Sequence, residues 1–369
     1  MTSNVAIVKC PDYDPGRVLE AVRKSLDLLG GIIKFISPRS KVLVKPNLLM
    51  AIEPQAGVDT HPEVVRAVIK LLKGINCNVL VGDSPSTWNN RIEEVYQISG
   101  IKKICEEEEV ELVKFERRRW RGKFPLSTYL DECDYLVSIP KFKTHELTIL
   151  TAAIKNNFGL VSGTYKTELH RCNIDIYEFS KAVVDIYQEA RPALSIVDGI
   201  TAMEGDGPGT GGKLRQQGLI IAGADAVAVD SVLTMIMGLK PLDILTTRIA
   251  HERKLGVAGI NSIKILGENI KDLNGGHFEL PKNSLLLKIP QPLLRLAGKF
   301  IQLYPRIVQK NCVLCGTCIG ICPQKAIRRD KEKIIIHYAK CISCFCCQES
   351  CPAAAIKVKK NLLVNILRL

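Results

Sequence analysis

Two cysteine runs near the C-terminus constrain this chain more than any other feature. "CVLCGTCIGICP" places Cys312, Cys315, Cys318 and Cys322 in the pattern C-x2-C-x2-C-x3-C, with Pro323 next. "CISCFCCQESCP" repeats that spacing with Cys341, Cys344, Cys347 and Cys351, and Pro352 follows. Spacings of two residues curl a short loop so that its thiolates converge on one metal centre. Zinc sites also use closely spaced cysteines, but usually as two separated pairs. Three cysteines within seven residues, twice, with proline after each fourth, favour iron–sulfur ligation instead.

Residues 309–360 resemble the two-cluster bacterial-type ferredoxin fold, in which the cysteine before proline ligates the other cluster. The resemblance implies one [4Fe–4S] cluster on Cys312, Cys315, Cys318 and Cys351, and a second on Cys322, Cys341, Cys344 and Cys347. Cys346 reads as a packed or spare thiol beside Cys347. Cys10, Cys77, Cys105, Cys133 and Cys172 have no ligand spacing and read as small buried hydrophobes. Cys172 lies two residues from His170 and is the one to watch.

The first 280 residues have another rhythm. Short β-branched runs such as "VAIVK", "KVLVKPNLL", "NVLVGDSP", "YLVSIPKF", "LSIVDGI" and "GLIIAGAD" alternate with stretches of helical period. One helix is expected over 15–29, with Asp14 as cap and Pro15 in the first turn. In "HPEVVRAVIKLLKG", Val64, Val65, Val68, Leu71 and Leu72 form an apolar stripe that Gly74 ends. Alternating strands and helices predict an α/β fold, a mainly parallel sheet with helices on both faces, followed by a small α+β ferredoxin-like module. The expected domains are 1–280, an amphipathic linker 281–308, the cluster domain 309–360 and an apolar tail 361–369.

Open sheets of this kind bind ligands outside the carboxyl ends of their strands. Lys45 and Asn47 follow "KVLV", Asp83 and Ser84 follow "VLVG", Lys141 and Lys143 follow "YLVSIP", and Asp198 follows "LSIV". Together these strand ends predict one shared polar rim. The order "VKPNLL", "GDSP", "IPKFKTHELTILTAAIKNNFG", "VDGITAMEGDGPGTGG" and "ADAVAVDSV" resembles the DUF362 family of prokaryotic proteins, many of whose members carry a C-terminal two-cluster ferredoxin module. The resemblance implies a polar pocket built from Lys45, Asn47, Asp83, Lys141, Lys143, Thr144, His145, Lys155, Asn156, His170, Asp198, Glu204 and Asp230.

The segment 139–159 is expected to open as a buried strand and turn into a helix, with Lys141, Lys143 and His145 at the join. A helix N-terminus already carries partial positive charge, so cations there predict a bound anion. The catalytic candidates are therefore Lys141, Lys143, His145, Lys155, Asn156, His170 and Asp198. Lysines would hold a carboxylate or phosphate, His145 or His170 would supply a proton, and Asp198 and Glu204 would orient a histidine or bind a metal. Lys45, Asn47, Asp83, Thr144 and Glu204 are expected to bind substrate. Asp83, His145, His170, Asp198 and Glu204 would also permit a further metal if they converge.

Other motifs carry less. "GPGTGG" fits G-x-G-x-x-G, but "LRQQGLIIAG" after it reads as a strand, so a Gly-rich lid over the pocket is expected rather than a nucleotide site. The net charge of +13 is spread along the chain, and "ERRRWRGKF" reads as a solvated patch, so no nucleic acid is expected. Basic charge would instead steer an acidic electron-transfer partner such as ferredoxin or flavodoxin. The apolar and basic residues of 281–308 could lie on a membrane surface, although packing between the modules is the preferred expectation. A start without a secretory signal and no spanning segment point to the cytoplasm. The leading expectation is a ferredoxin-linked reductase acting on an anionic substrate. The rival is a non-catalytic electron carrier or assembly factor.

Overall fold

The structure is a computed structural model that describes residues 2–85, 91–162, 165–172, 176–273, 277–281, 284 and 303–360, without the side chains of Thr167, His170, Arg171, Cys172, Leu303 and Lys360. Most of the expected linker and the whole apolar tail lie outside the described residues, as does the amphipathic face drawn on the linker.

A ten-stranded sheet forms the large domain. Its parallel half runs Glu111–Lys114, Asn78–Asp83, Lys41–Pro46, Tyr135–Ile139 and Leu194–Gly205. Gly212–Gly223 then pairs antiparallel with Leu194–Gly205, Ser3–Lys9 pairs antiparallel with Gly212–Gly223, and Ile263–Gly267 closes the edge in parallel. The expected α/β class and mainly parallel sheet are present.

Strand periodicity explains the layers. Val42 and Val44 point to one face and Leu43 to the other, as do Val79 and Val81 against Leu80. One face is covered by Pro15–Leu28 and Pro62–Lys73, whose Val18, Val22, Val64, Val65 and Val68 are buried. The opposite face is covered by Ile176–Ala190 and Ala226–Ile236. Asp14 caps the first helix by accepting the Arg17 N–H at 3.0 Å, and Pro15 opens its first turn.

The segment 139–159 departs from expectation. Lys141–His145 is a strand, not a helix start; it pairs with Leu194–Gly205 through Asp198 opposite Lys141 and Met203 opposite Lys143. Ile149–Thr151 turns back antiparallel to it, and the helix begins only at Ala153 and ends at Asn156. Partners distant in sequence supply this strand's ladder, which outweighs a local pattern lacking apolar alternation. "ERRRWRGKF" forms a hairpin, Arg118–Arg121 with Phe124–Ser127, and leaves Trp120 60% exposed.

Residues 303–360 repeat their own structure. Strands Leu303–Ile307 and Ile356–Lys360 pair, as do Ile327–Asp330 and Lys333–Ile336. Helix Thr317–Ile321 within the first run has its counterpart in Cys346–Glu349 within the second. Leu314, Gly316 and Lys325 take left-handed backbone conformations, and so do their repeat equivalents Ser343, Phe345 and Ala354. Ala326 N–H donates to Cys322 Sγ at 3.2 Å, and Ala355 N–H to Cys351 Sγ at 3.3 Å.

Candidate functional site

Lys45 is the last but one residue of strand Lys41–Pro46, at the carboxyl edge of the sheet, with no exposure to solvent. Its Nζ lies 2.8 Å from Asp83 Oδ1 and donates to Pro46 O at 2.9 Å and Asn156 Oδ1 at 3.2 Å. Asp83 also accepts the N–H of Leu48 and of Ser84, each at 2.8 Å. A Cβ on Gly159 would overlap both the Asp83 carboxylate and the Lys45 ammonium, so only glycine lets that backbone approach the pair. Burial pulls the Lys45 ammonium below its usual range, with Asp83 opposing. Lys166 donates to Ser84 O beside them, and burial lowers its pKa to about 7.

Lys141 forms a second buried group. Its Nζ lies 2.8 Å from Asp198 Oδ2 and donates to Tyr13 Oη at 2.8 Å, while Tyr13 donates to Asp198 Oδ1 at 2.9 Å. His61 stacks on Tyr13 with ring centroids 3.7 Å apart, and its backbone N–H donates to Asp198 Oδ2 at 2.9 Å. Burial lowers the His61 pKa to about 4, against the pull of Asp198. Lys143 donates to Val58 O at 2.6 Å. Burial lowers the Lys143 pKa and raises that of neighbouring Asp59, each charge opposing the other's desolvation. Asp59 Oδ1 accepts the Leu49 N–H at 2.6 Å; Asp59 Oδ2 and Asn47 Oδ1 are buried without a hydrogen-bond partner among the described residues.

The cations expected to await an external anion thus already face internal acids. At the start of helix Ala153–Asn156 the N–H groups of Ala153 and Ile154 donate to Asp230 at 2.7 and 3.1 Å. The carboxyl group at that helix N-terminus is therefore a side chain of the chain itself, and burial raises its pKa to about 7 against the pull of the two N–H donors.

The remaining candidates separate. His145 Nδ1 accepts the N–H of Leu147 at 3.0 Å and of Thr148 at 3.3 Å, so its ring proton belongs on Nε2. Nε2 lies 3.1 Å from Glu349 Oε1, a residue between Cys347 and Cys351. Lys155, half-buried, has no hydrogen bond or ion pair among the described residues; its Nζ lies 5.6 Å from the Phe158 ring, and the acid it feels is Glu349. Asn156 donates to Ser138 Oγ at 2.9 Å, and Thr144 Oγ1 to Met203 O at 3.4 Å. Glu204 is turned aside, its Oε2 3.0 Å from Arg215 Nη1. His170 lies on helix Tyr165–Cys172, but its side chain, like that of Cys172, is outside the described residues. Among the described residues no three His, Cys, Asp or Glu side chains gather to hold a single ion, so the further metal site expected of Asp83, His145, Asp198 and Glu204 does not form there.

The Gly-rich loop is not an open flap. It joins the two long strands and meets the iron–sulfur module: Thr210 Oγ1 donates to Cys351 O at 2.6 Å, and Gln348 Nε2 to Asp206 O at 3.4 Å. A Cβ on Gly209 would overlap Glu349 O.

The cysteines fit a cubane cluster, in which each thiolate binds its own iron. Cys312, Cys315, Cys318 and Cys351 line one small cavity with Ile307 and Ile334. The groups acting electrostatically on Cys318 are Cys351, Cys315 and Cys312. Those acting on Cys341 include Cys344 and Cys322, and those on Cys347 are Cys344, Cys341, Cys318 of the first run and Cys322.

Comparison with known proteins decides the family. Residues 42–235 match the family described as "Domain of unknown function (DUF362)" and residues 304–352 match a "4Fe-4S dicluster domain". The chain belongs to the DUF362 family. This DUF362 protein is 33% identical over 264 residues to the thylakoid-associated protein sll1697 of Synechocystis sp., covering 70% of the chain and 81% of that relative. Two solved structures are similar over part of the chain. A Thermotoga maritima structural-genomics target has a TM-score of 0.37 at 14% identity, over 59% of this chain and 57% of that one. The lactate racemase apoprotein of Thermoanaerobacterium thermosaccharolyticum has a TM-score of 0.41 at 12% identity, over 65% and 57%. The chain therefore spans little more than half the length of either. Among the described residues of this DUF362 protein no helix is long and apolar enough to cross a membrane.

Sequence reasoning missed Tyr13, Asp59, His61, Lys166 and Glu349. For Glu349 a signal was present: the first run fills its x3 slot with Ile319, Gly320 and Ile321, whereas the second fills it with Gln348, Glu349 and Ser350. Those three polar residues are 6%, 7% and 4% exposed, buried because the large domain covers them. Tyr13, Asp59 and His61 belong to loops whose partners lie far along the chain, so no local pattern marks them.

Proposed function

We propose that this iron–sulfur protein carries two [4Fe–4S] clusters on residues 309–360, Cys312, Cys315, Cys318 and Cys351 holding one and Cys322, Cys341, Cys344 and Cys347 the other, and that it is a reductase of a small anionic substrate bound in domain 1–280. Such clusters, when bound, take up and give up single electrons. The observation that carries the reading is the 3.1 Å approach of His145 Nε2 to Glu349 Oε1, which sets the lysine-lined sheet edge against the second cysteine run.

Each residue then has a task. Lys45 with Asp83, and Lys141 with Asp198 and Tyr13, are tied to one another and form the walls. In this reading Lys155, Lys166 and Lys143 would hold a carboxylate or phosphate, and His145 would hold a proton on Nε2. An acidic ferredoxin or flavodoxin in the same reducing compartment is the proposed donor, drawn by the net charge of +13. The internal pairing of Lys45 and Lys141 favours a second reading, a carrier whose large domain recognises a partner and performs no chemistry.

The test is made on the anaerobically purified chain. About eight irons per chain are expected. The dithionite-reduced protein is then mixed with unsaturated carboxylates and phosphate esters. Reoxidation by one of them, slowed roughly tenfold or more by Lys143→Ala and His145→Ala, supports the reductase. Reoxidation by ferredoxin alone supports the carrier, and a chain that binds zinc in place of iron overturns both.

A further inference from the structure

A cleft of about 920 Å3 lies between the large domain and the cysteine runs, and none of the lysines, histidines or aspartates assigned to the sheet edge lines it. One wall comes from segments that follow two neighbouring parallel strands: Met50 and Ala51 after Lys41–Pro46, and Arg91, Glu94 and Val95 after Asn78–Asp83. That is the carboxyl end of an open sheet, where ligands of such folds bind. The other wall carries Cys315, assigned above to the first cluster, and Cys322, assigned to the second. The volume falls within the roughly 300–1,000 Å3 of small-molecule and cofactor sites. Met50, Val95, Ile319 and Ile327 make the lining largely apolar. Ser350, 4% exposed, also lines it, and its Oγ has no hydrogen-bond partner among the described residues. Arg91 is paired with Glu94, whereas Lys325 is exposed and has no ion pair among the described residues.

We infer that this cleft binds a planar, redox-active ring compound with an anionic tail, the chemistry of a flavin mononucleotide, and that it is an exit for electrons from both clusters. The ring fits the apolar lining, the unmet Ser350 hydroxyl offers a hydrogen bond to a ring heteroatom, and Lys325 meets the tail. Contact with both ligand sets matters because each cluster gives up one electron at a time. Two reduced clusters each lose one electron, and the ring gains both together with two protons from water. The clusters are refilled by a one-electron donor such as the acidic ferredoxin proposed above. The site depends on the cluster reading and not on a substrate at the lysine-lined edge.

The experiment is equilibrium dialysis of the anaerobically purified full-length chain against flavin mononucleotide, with iron counted on the same samples. Saturable binding of about one flavin mononucleotide per chain is expected, with riboflavin, which lacks the phosphate, weaker by roughly tenfold or more. Ala51→Trp fills the cleft from the wall that holds no cysteine and should abolish binding with iron unchanged. Lys325→Glu should weaken flavin mononucleotide by roughly tenfold or more and riboflavin little. In the dithionite-reduced chain, the rate at which flavin mononucleotide reoxidises the clusters should saturate, and Ala51→Trp should remove that saturation. An iron-loaded chain that does not bind flavin mononucleotide would overturn the inference and leave the cluster reading standing. Equal binding of riboflavin, or undiminished binding in Ala51→Trp, would overturn it too. If Ala51→Trp loses iron, Lys325→Glu decides: selective weakening of flavin mononucleotide supports the site, and unchanged binding refutes it. A chain that takes up no iron overturns the cluster reading and this site with it.

Discussion

His145 Nε2 stands 3.1 Å from Glu349 Oε1, joining a strand of the α/β sheet to the x3 slot of the second cysteine run. Both side chains are buried, at 0% and 7% exposure, so the contact is formed out of water. Removing either is expected to loosen the junction. Glu349→Ala and His145→Ala should each cost about 1–3 kcal/mol locally, and the double variant little more than one of them. Hydrogen exchange in 205–212 and 346–351 measures this; unchanged protection there would mean that the contact holds nothing together.

Lys45 and Asp83 offer a sharper energetic test. Both are buried and share the 2.8 Å contact, so Lys45→Met leaves a carboxylate without its countercharge. A loss of about 3–5 kcal/mol in denaturant unfolding is expected. Lys45→Met combined with Asp83→Asn should recover a large part of it. Additive losses would show that the two side chains act independently.

Gly159 is expected to reject even one methyl group. Gly159→Ala would push against Asp83 Oδ1 and Lys45 Nζ together, neither of which can swing away without leaving its partner. A destabilisation of about 1–3 kcal/mol, with no change in iron content, is the expected outcome. A neutral substitution would mean that the sheet edge is looser than its hydrogen bonds imply.

The pH response should carry the mark of His61. Its pKa falls from an ordinary 6.5 to about 4 in the folded chain. Between those values the unfolded chain holds the proton and the native chain does not. Stability contributed by the neutral ring is therefore complete above the upper value and lost as pH falls toward the lower one. His61→Asn keeps a side chain able to cap helix Pro62–Lys73 but removes the titration. Its unfolding free energy should fall less steeply with acid than that of the native chain, by on the order of 2 kcal/mol after screening. Parallel pH profiles would discount the assignment.

The cysteine runs were legible because cluster ligation is a local demand, met by residues a few positions apart. The parallel strands were legible for a related reason: a strand buried on both faces must be almost wholly apolar, as "KVLV" and "NVLV" are. Lys141–His145 escaped because its burial is paid in hydrogen bonds and ion pairs rather than apolar area. Nothing in "KFKTH" announces Asp198, Asp59 and Glu349, which come from three distant parts of the chain.

By itself the sequence determined the α/β rhythm, the thiolate spacing and the set of polar residues gathered at strand ends. Only the tertiary structure decided what those residues face. It gave Lys45 to Asp83 and Lys141 to Asp198, turned Glu204 toward Arg215, and brought His145 to the second cysteine run. The physical reason is that a buried charge takes its partner from whatever the fold brings within a few ångströms, and that proximity is fixed by packing rather than by distance along the chain.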